Sequence, residues 1–279
     1  EVLETEPSVD DKANAADSGI TEGRVAFEDV SFSYGDSEEK VLHHISFTAN
    51  PGETTAVIGS TGSGKSTMIN LIPRFFDVTE GKVTIDGTDV RALSQHYLRE
   101  NIGLVPQKGV LFSGTIASNL RFGDESASDG QLREAAAIAQ STDFIEAKPE
   151  KYESPISQGG TNVSGGQKQR LSIARAVVKK PKIYIFDDSF SALDYKTDAA
   201  LRKALAEQVA DSTVIIVAQR ISTILHADKI IVLDEGRIAG MGTHEDLLES
   251  CEIYEQIASS QLSESELKRG KTSDNNGKE

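Results

Sequence analysis

Thr55-Ala56-Val57-Ile58-Gly59-Ser60-Thr61-Gly62-Ser63-Gly64-Lys65-Ser66-Thr67 is a short apolar run, then a glycine-rich loop, then the start of a helical pattern that continues to Phe75. This is the strand, GxxxxGK[ST] loop and helix that a phosphate cradle requires. Glycines let backbone N–H groups approach closely, and a helix N-terminus adds the positive end of its dipole. Lys65 is expected to reach the β and γ phosphates of a nucleoside triphosphate, and Ser66 to ligate magnesium. Gly59, Ser60, Thr61, Gly62, Ser63, Gly64 and Thr67 complete the nucleotide-binding loop.

Outward from that loop the chain alternates strand and helix signals, the pattern of an α/β fold. Thr55 to Ile58, Ile102 to Val105, Ile183 to Phe186, Val214 to Val217 and Ile230 to Leu233 are short and almost wholly apolar. Such runs suit strands buried on both faces, so these five are expected to form a central P-loop (RecA-like) sheet. Arg24 to Tyr34 and Val41 to Thr48 alternate apolar and polar residues instead, as half-buried antiparallel strands do. They predict an antiparallel β subdomain. Residues 113–180 carry helical periodicity, clearest over Gln131 to Ala139, and predict an α-helical subdomain.

The flanks read differently. Residues 1–20 hold six acids against Lys12 alone, a large share of the formal net charge of -15. Residues 1–22 are expected to be an acidic linker, residues 23–260 the domain, and residues 261–279 a polar tail. The first residue is Glu1 rather than Met, which suggests a piece of a longer or processed polypeptide. The acidity disfavours nucleic acid as a partner, because it repels phosphate backbones at long range. One cysteine, Cys251, rules out an intrachain disulfide and speaks against a cysteine metal site. No apolar run approaches the roughly 20 residues a membrane helix needs.

Two further elements carry chemistry. Ile183-Tyr184-Ile185-Phe186-Asp187 is an apolar strand ending on a carboxylate, a Walker B arrangement that would bring Asp187 into a magnesium shell. Asn162-Val163-Ser164-Gly165-Gly166-Gln167-Lys168-Gln169-Arg170 opens a helical run with a hydroxyl and unobstructed N–H groups, so it is a second phosphate site.

With that segment the chain resembles the ATP-binding-cassette (ABC) family, Val163 standing where the family usually has leucine. The resemblance covers about Arg24 to Ser260. It implies ATP and Mg2+ as ligands, and a second cassette whose P-loop meets Val163, Ser164, Gly165, Gly166 and Gln167 in trans. Tyr34 resembles the aromatic that stacks on adenine, Gln107 the Q-loop glutamine and metal ligand, and Ser191-Ala192-Leu193-Asp194 the D-loop. Leu111 to Gly123 is similar to the exporter segment that faces the coupling helices of a membrane domain, which the resemblance places on the same full-length chain. The domain would then sit at the cytoplasmic face of the cell membrane. Only 99 positions separate Lys65 from Ser164, too few for the long coiled-coil insertion of chromosome-maintenance relatives.

Two positions depart from the family pattern. Asp188 follows the Walker B acid where a glutamate is usual, and Gln219 stands after Val214 to Ala218 where a switch histidine is usual. A carboxylate one methylene short is a poor water-polarising base, since a displacement of about 1 Å can cost on the order of 100-fold. Glutamine cannot carry the charge of a histidine. Gln158 likewise replaces a frequent glutamate. The expectation is a degenerate-site subunit of a heterodimeric exporter, like those of bacterial multidrug exporters, with slow hydrolysis at its own site. A homodimeric exporter using Asp188 as base, or a soluble nucleotide-driven clamp, are the competing readings.

Overall fold

The structure, a computed structural model, describes residues 9–35 and 37–263. Its centre is a six-stranded sheet in the order β12-β11-β3-β10-β9-β6. β3 (Thr54–Ile58), β6 (Ile102–Val105), β9 (Ile183–Asp187), β10 (Thr213–Val217) and β11 (Lys229–Asp234) are the five apolar runs, and they pair in parallel. Alternate side chains of these strands face opposite layers. In β9, Tyr184 and Phe186 pack on the helical side, while Ile183 and Ile185 pack towards the second sheet. Both faces are covered, which is why polar residues could not alternate here.

The sixth strand, β12 (Arg237–Gly242), pairs antiparallel with β11 at the sheet edge. Its side chains alternate between exposed and half-buried, and its Gly240 and Gly242 supply no apolar signal. The sequence reading therefore passed over it.

The antiparallel sheet has the order β2-β1-β4-β5, built from β1 (Val25–Phe32), β2 (Leu42–Ala49), β4 (Glu80–Ile85) and β5 (Thr88–Asp89). Phe27 and Phe47 stack across the β1 and β2 pair with centroids 4.6 Å apart. The helical subdomain contains α3 (Ile116–Arg121), α4 (Asp129–Ile138), α5 (Thr142–Glu146) and α6 (Gly165–Lys179). A two-residue pairing of β7 (Gly114–Thr115) with β8 (Pro155–Ile156) closes it. Thr115 with Ser118, Ser128 with Gln131 and Ser164 with Gln167 form capping boxes that fix where three of these helices begin.

The remaining helices are α1 (Lys65–Asn70), α2 (Gln95–Glu100), α7 (Tyr195–Gln208), α8 (Ile221–Ile224), α9 (His244–Ser250) and α10 (Glu252–Gln261). Among the described residues no helix is long and apolar enough to cross a membrane.

Residues 10–22, read from sequence as linker, lie against the domain. Ala16 bridges to Leu93, Ile20 is buried, and Arg74 donates to the Asp10 carbonyl at 2.9 Å. Asp86 accepts from the backbone N–H groups of Thr21, Glu22, Gly23 and Arg24 at 2.8 to 3.1 Å. Residues 1–8 and 264–279 lie outside the described residues, and Gln261 closes α10.

Candidate functional site

The C-terminal ends of parallel strands β3, β9 and β10 converge on one edge, where open α/β sheets form their binding crevice. β3 ends at Ile58, and the loop from Gly59 to Gly64 turns into α1. Two of its glycines are sterically obligatory. A Cβ on Gly59 would fall 2.0 Å from the Leu233 carbonyl oxygen, and Gly64 holds φ at 101° with Leu42 only 2.7 Å from its would-be Cβ.

Lys65 folds its ammonium over this loop, donating to the Gly59 carbonyl at 2.8 Å and the Ser60 carbonyl at 2.6 Å. Burial lowers its pKa, against the raising effect of Asp187 and Asp188. Ser66 Oγ donates to Asp187 Oδ1 at 3.2 Å, so the first residues of α1 meet the end of β9. Burial raises the Asp187 pKa, and the neighbouring Asp188 carboxylate adds to that, while the Ser66 hydrogen bond and Lys65 oppose it.

Asp188 is buried and holds a left-handed backbone at φ 46°. Its N–H donates to the Val217 carbonyl at 2.9 Å, pinning the end of β9 to the end of β10. Its Oδ2 accepts two amides, Gln219 Nε2 at 2.8 Å and Gln107 Nε2 at 3.2 Å. The result is a cleft of about 250 Å³ that brings together Thr61, Gly62, Gly64, Lys65, Ser66, Thr67, Gln107, Asp187, Asp188 and Gln219. Tyr34 stands in an adjoining depression that shares Gly62 with the cleft, and its hydroxyl lies 2.8 Å from Thr67 Oγ1. The ring is 42% exposed and is held edge-on by Phe32 and Phe76, which leaves it free to stack.

The segment from Val163 to Gln167 is not part of this cleft. Val163 is buried, whereas Ser164 and Gly165 are exposed at the start of the fifteen-residue helix α6. Ser164 accepts from the Gln167 N–H at 3.2 Å, and the Gln167 side chain returns the bond to the Ser164 N–H at 3.1 Å. The loop from Ser191 to Asp194 also lies outside the cleft but is tied to it. Ser191 Oγ donates to the Asp188 carbonyl at 2.8 Å, and Asp194 caps α7 through the Thr197 N–H. Gln158 sits in a short 3-10 turn and is exposed.

Sequence reasoning gave Gln169 no role, yet it sets the position of the Gln107 loop. Buried in α6, it donates to the Pro106 carbonyl at 3.0 Å and accepts from the Gly109 N–H at 2.8 Å. A polar residue on the buried face of a helix was the available signal. Among the described residues no cluster of three His, Cys, Asp or Glu side chains is placed to hold a metal. One hydroxyl and one carboxylate, Ser66 and Asp187, do fit a magnesium ion that takes its other oxygens from phosphate and water.

The family described as ABC transporter matches residues 42–191, from β2 through the Walker B acid to Ser191. The chain belongs to the ABC transporter family. As an ABC ATP-binding domain it is 48% identical over 246 residues to an uncharacterized ABC transporter ATP-binding protein of Mycobacterium tuberculosis, covering 87% of this chain and 42% of that one. It is 45% identical over 262 residues to a beta-(1→2)glucan export ATP-binding/permease protein of Nitrobacter winogradskyi, covering 94% of this chain and 43% of that one. The structure of a bacterial Atm1-family ABC exporter with ATP bound superposes with a TM-score of 0.90 at 38% identity, over 95% of this chain and 46% of that one. The ABC domain thus spans less than half the length of these relatives.

Proposed function

We propose that this chain is the ATP-binding cassette of an ABC exporter, that it binds MgATP, and that it pairs with a second cassette to drive transport. The membrane domain belongs to the same full-length chain, which sets the cassette at the cytoplasmic face of the membrane. Relatives named as ATP-binding/permease proteins, each more than twice the matched length, support this.

In this reading the triphosphate lies along the loop from Gly59 to Thr67, with Lys65 on its β and γ phosphates and the adenine on Tyr34. Ser66 and Asp187 would hold Mg2+, which neutralises charge developing on the β and γ oxygens, and Gln107 stands beside them. The exposed Ser164 and Gly165, with the half-buried Gly166, at the tip of α6 complete the nucleotide site of the partner; their position outside the lining of this chain's own cleft supports this.

The cassette's own site is weakly hydrolytic. The observation that carries this is the Asp188 carboxylate, which is short, buried and hydrogen-bonded by two amides where a longer carboxylate and an imidazole would polarise water. With two N–H groups already on Oδ2, that oxygen has little capacity left to accept from an attacking water. The partner is therefore a different subunit, whose catalytic site hydrolyses ATP while this one retains it.

The test is ATP turnover by the assembled heterodimer. Asp188→Ala is expected to leave most of the turnover, and removal of the partner's catalytic glutamate to abolish it. The opposite pair of results overturns the degenerate-site reading in favour of Asp188 as base.

A further inference from the structure

Helix α10 reaches the turn beside the nucleotide cleft through the Gln261 side chain. Gln261, the last residue of α10, donates from Nε2 to the Gln219 carbonyl at 2.9 Å. Its Oε1 accepts from the Ile221 N–H at 2.8 Å. One amide thus spans the turn that leaves β10 and enters α8, fixing the backbone on both sides of Arg220.

That turn has few other local restraints. α8 is only four residues long, and its cap Arg220 makes no side-chain capping bond, so the Ile221 N–H is one of the orphan donors of a helix start. Arg220 itself donates to the Ser191 carbonyl at 3.3 Å, which binds the turn to the loop after Asp188. Gln219 then points its own amide at Asp188. The direction of the Gln219 side chain follows from a backbone that Gln261 holds.

α10 is a firm base for such a clamp. Tyr254 and Ala258 on the same helix are fully buried, and the Tyr254 hydroxyl is 2.8 Å from His244 Nδ1 on α9. Gln261 therefore extends from an anchored helix rather than from a loose end.

We infer that Gln261 is a positioning residue for Gln219, setting the switch side chain against the γ phosphate of bound ATP from α10. This rests on the nucleotide reading of the cleft. It predicts a selective effect: Gln219 lies at the γ end of the site, so ATP should feel the loss of the clamp and ADP should not.

The experiment titrates the 279-residue chain with the fluorescent analogues mant-ATP and mant-ADP in the presence of Mg2+, with thermal melting followed by circular dichroism in parallel. Gln261→Ala is expected to weaken mant-ATP binding about threefold to tenfold, the range given by one lost backbone-directed hydrogen bond. Mant-ADP binding should not change. On a Gln219→Ala background, whose backbone carbonyl is intact, Gln261→Ala should add nothing to the loss.

Equal weakening of both nucleotides, or the same further loss on the Gln219→Ala background, overturns the positioning role and leaves a merely structural one. Unchanged mant-ATP binding in Gln261→Ala, with binding abolished in Lys65→Ala, overturns the clamp while the nucleotide reading stands. Should Lys65→Ala bind mant-ATP as the parent does, the nucleotide reading falls and takes this inference with it.

Discussion

Gln219 Nε2 and Asp188 Oδ2 are 2.8 Å apart, and the bond joins the ends of two adjacent parallel strands across the floor of the nucleotide cleft. The carboxylate that the amide contacts is one methylene shorter than a glutamate, and a neutral amide stands where the proposed reading expects an imidazole. In the proposed degenerate-site reading, both partners of the hydrolytic pair are replaced together. The replacements suit each other: a neutral amide donates readily to a carboxylate and needs no change of protonation to do so.

Restoring both groups should restore hydrolysis at this site. Asp188→Glu with Gln219→His is expected to raise own-site turnover by up to on the order of 100-fold, the cost of a displacement of about 1 Å at a reacting centre. Phosphate release from a heterodimer lacking the partner's catalytic glutamate reads this directly. No gain from the double variant would mean that some other feature limits hydrolysis.

Asp187 should leave a pH signature. Burial first, and Asp188 second, hold its pKa above the ordinary carboxylate value. The folded chain therefore keeps the proton to higher pH than the unfolded chain does. Its ionisation costs stability as pH rises through the folded value, and the cost is absent below the unfolded pKa of about 3.9. Asp187→Asn should raise the Tm of the nucleotide-free chain at pH 7, with the gain fading towards pH 4. The same variant should lose the Mg2+-dependent part of ATP binding. In the parent, Mg2+-dependent binding should begin to fall on acidification at a higher pH than an unperturbed aspartate would give.

Asp86 should anchor the acidic segment that precedes β1. Burial alone would raise its pKa, but the N–H groups of Gly23, Thr21, Arg24 and Glu22 lower it below the usual value. The stability it contributes is present above the unfolded pKa and is lost as pH falls through the folded one. Asp86→Ala should lower stability by about 1 kcal/mol, with solvent screening keeping the loss small. A urea midpoint measured at pH 7 should show the loss, and the difference from the parent should shrink on acidification. Protease cleavage between residues 10 and 22 should quicken in the variant.

Ser164→Ala should separate the two nucleotide sites. It removes a helix cap, which costs about 1 kcal/mol, and with it the hydroxyl that the proposed pairing offers to the partner's nucleotide. ATP turnover by the heterodimer should fall well beyond what that loss of stability explains. Mant-ATP binding at this chain's own cleft should be unchanged, since Ser164 lies outside it. A drop in binding at its own cleft instead would show that the tip of α6 serves this chain's nucleotide.

The sequence by itself determined the features that are local. A GxxxxGKS loop between an apolar run and a helix points to a phosphate cradle, and a Cβ at Gly59 would meet the Leu233 carbonyl while Gly64 holds a positive φ, both at positions that the motif assigns to glycine. Five short apolar runs suited strands buried on both faces, and they pair in parallel as the central sheet. Asp188 and Gln219 were visible as departures from a pattern.

Tertiary structure decided what depends on pairs of residues far apart in the chain. That Asp188 is held by Gln107 and Gln219 at once, 81 and 31 positions away, follows from the adjacency of β6, β9 and β10, which strand composition alone does not order. Edge strand β12 lacked an apolar signal because every second residue is exposed and two of its three half-buried positions, Gly240 and Gly242, are glycines. Nothing in the sequence marked Asp86, and Gln261 fell at the start of the expected polar tail, since a side chain's hydrogen-bonding partner is chosen by packing and leaves no periodicity to read. Short-range geometry made the cradle legible, whereas the chain's path through space made the connections around it.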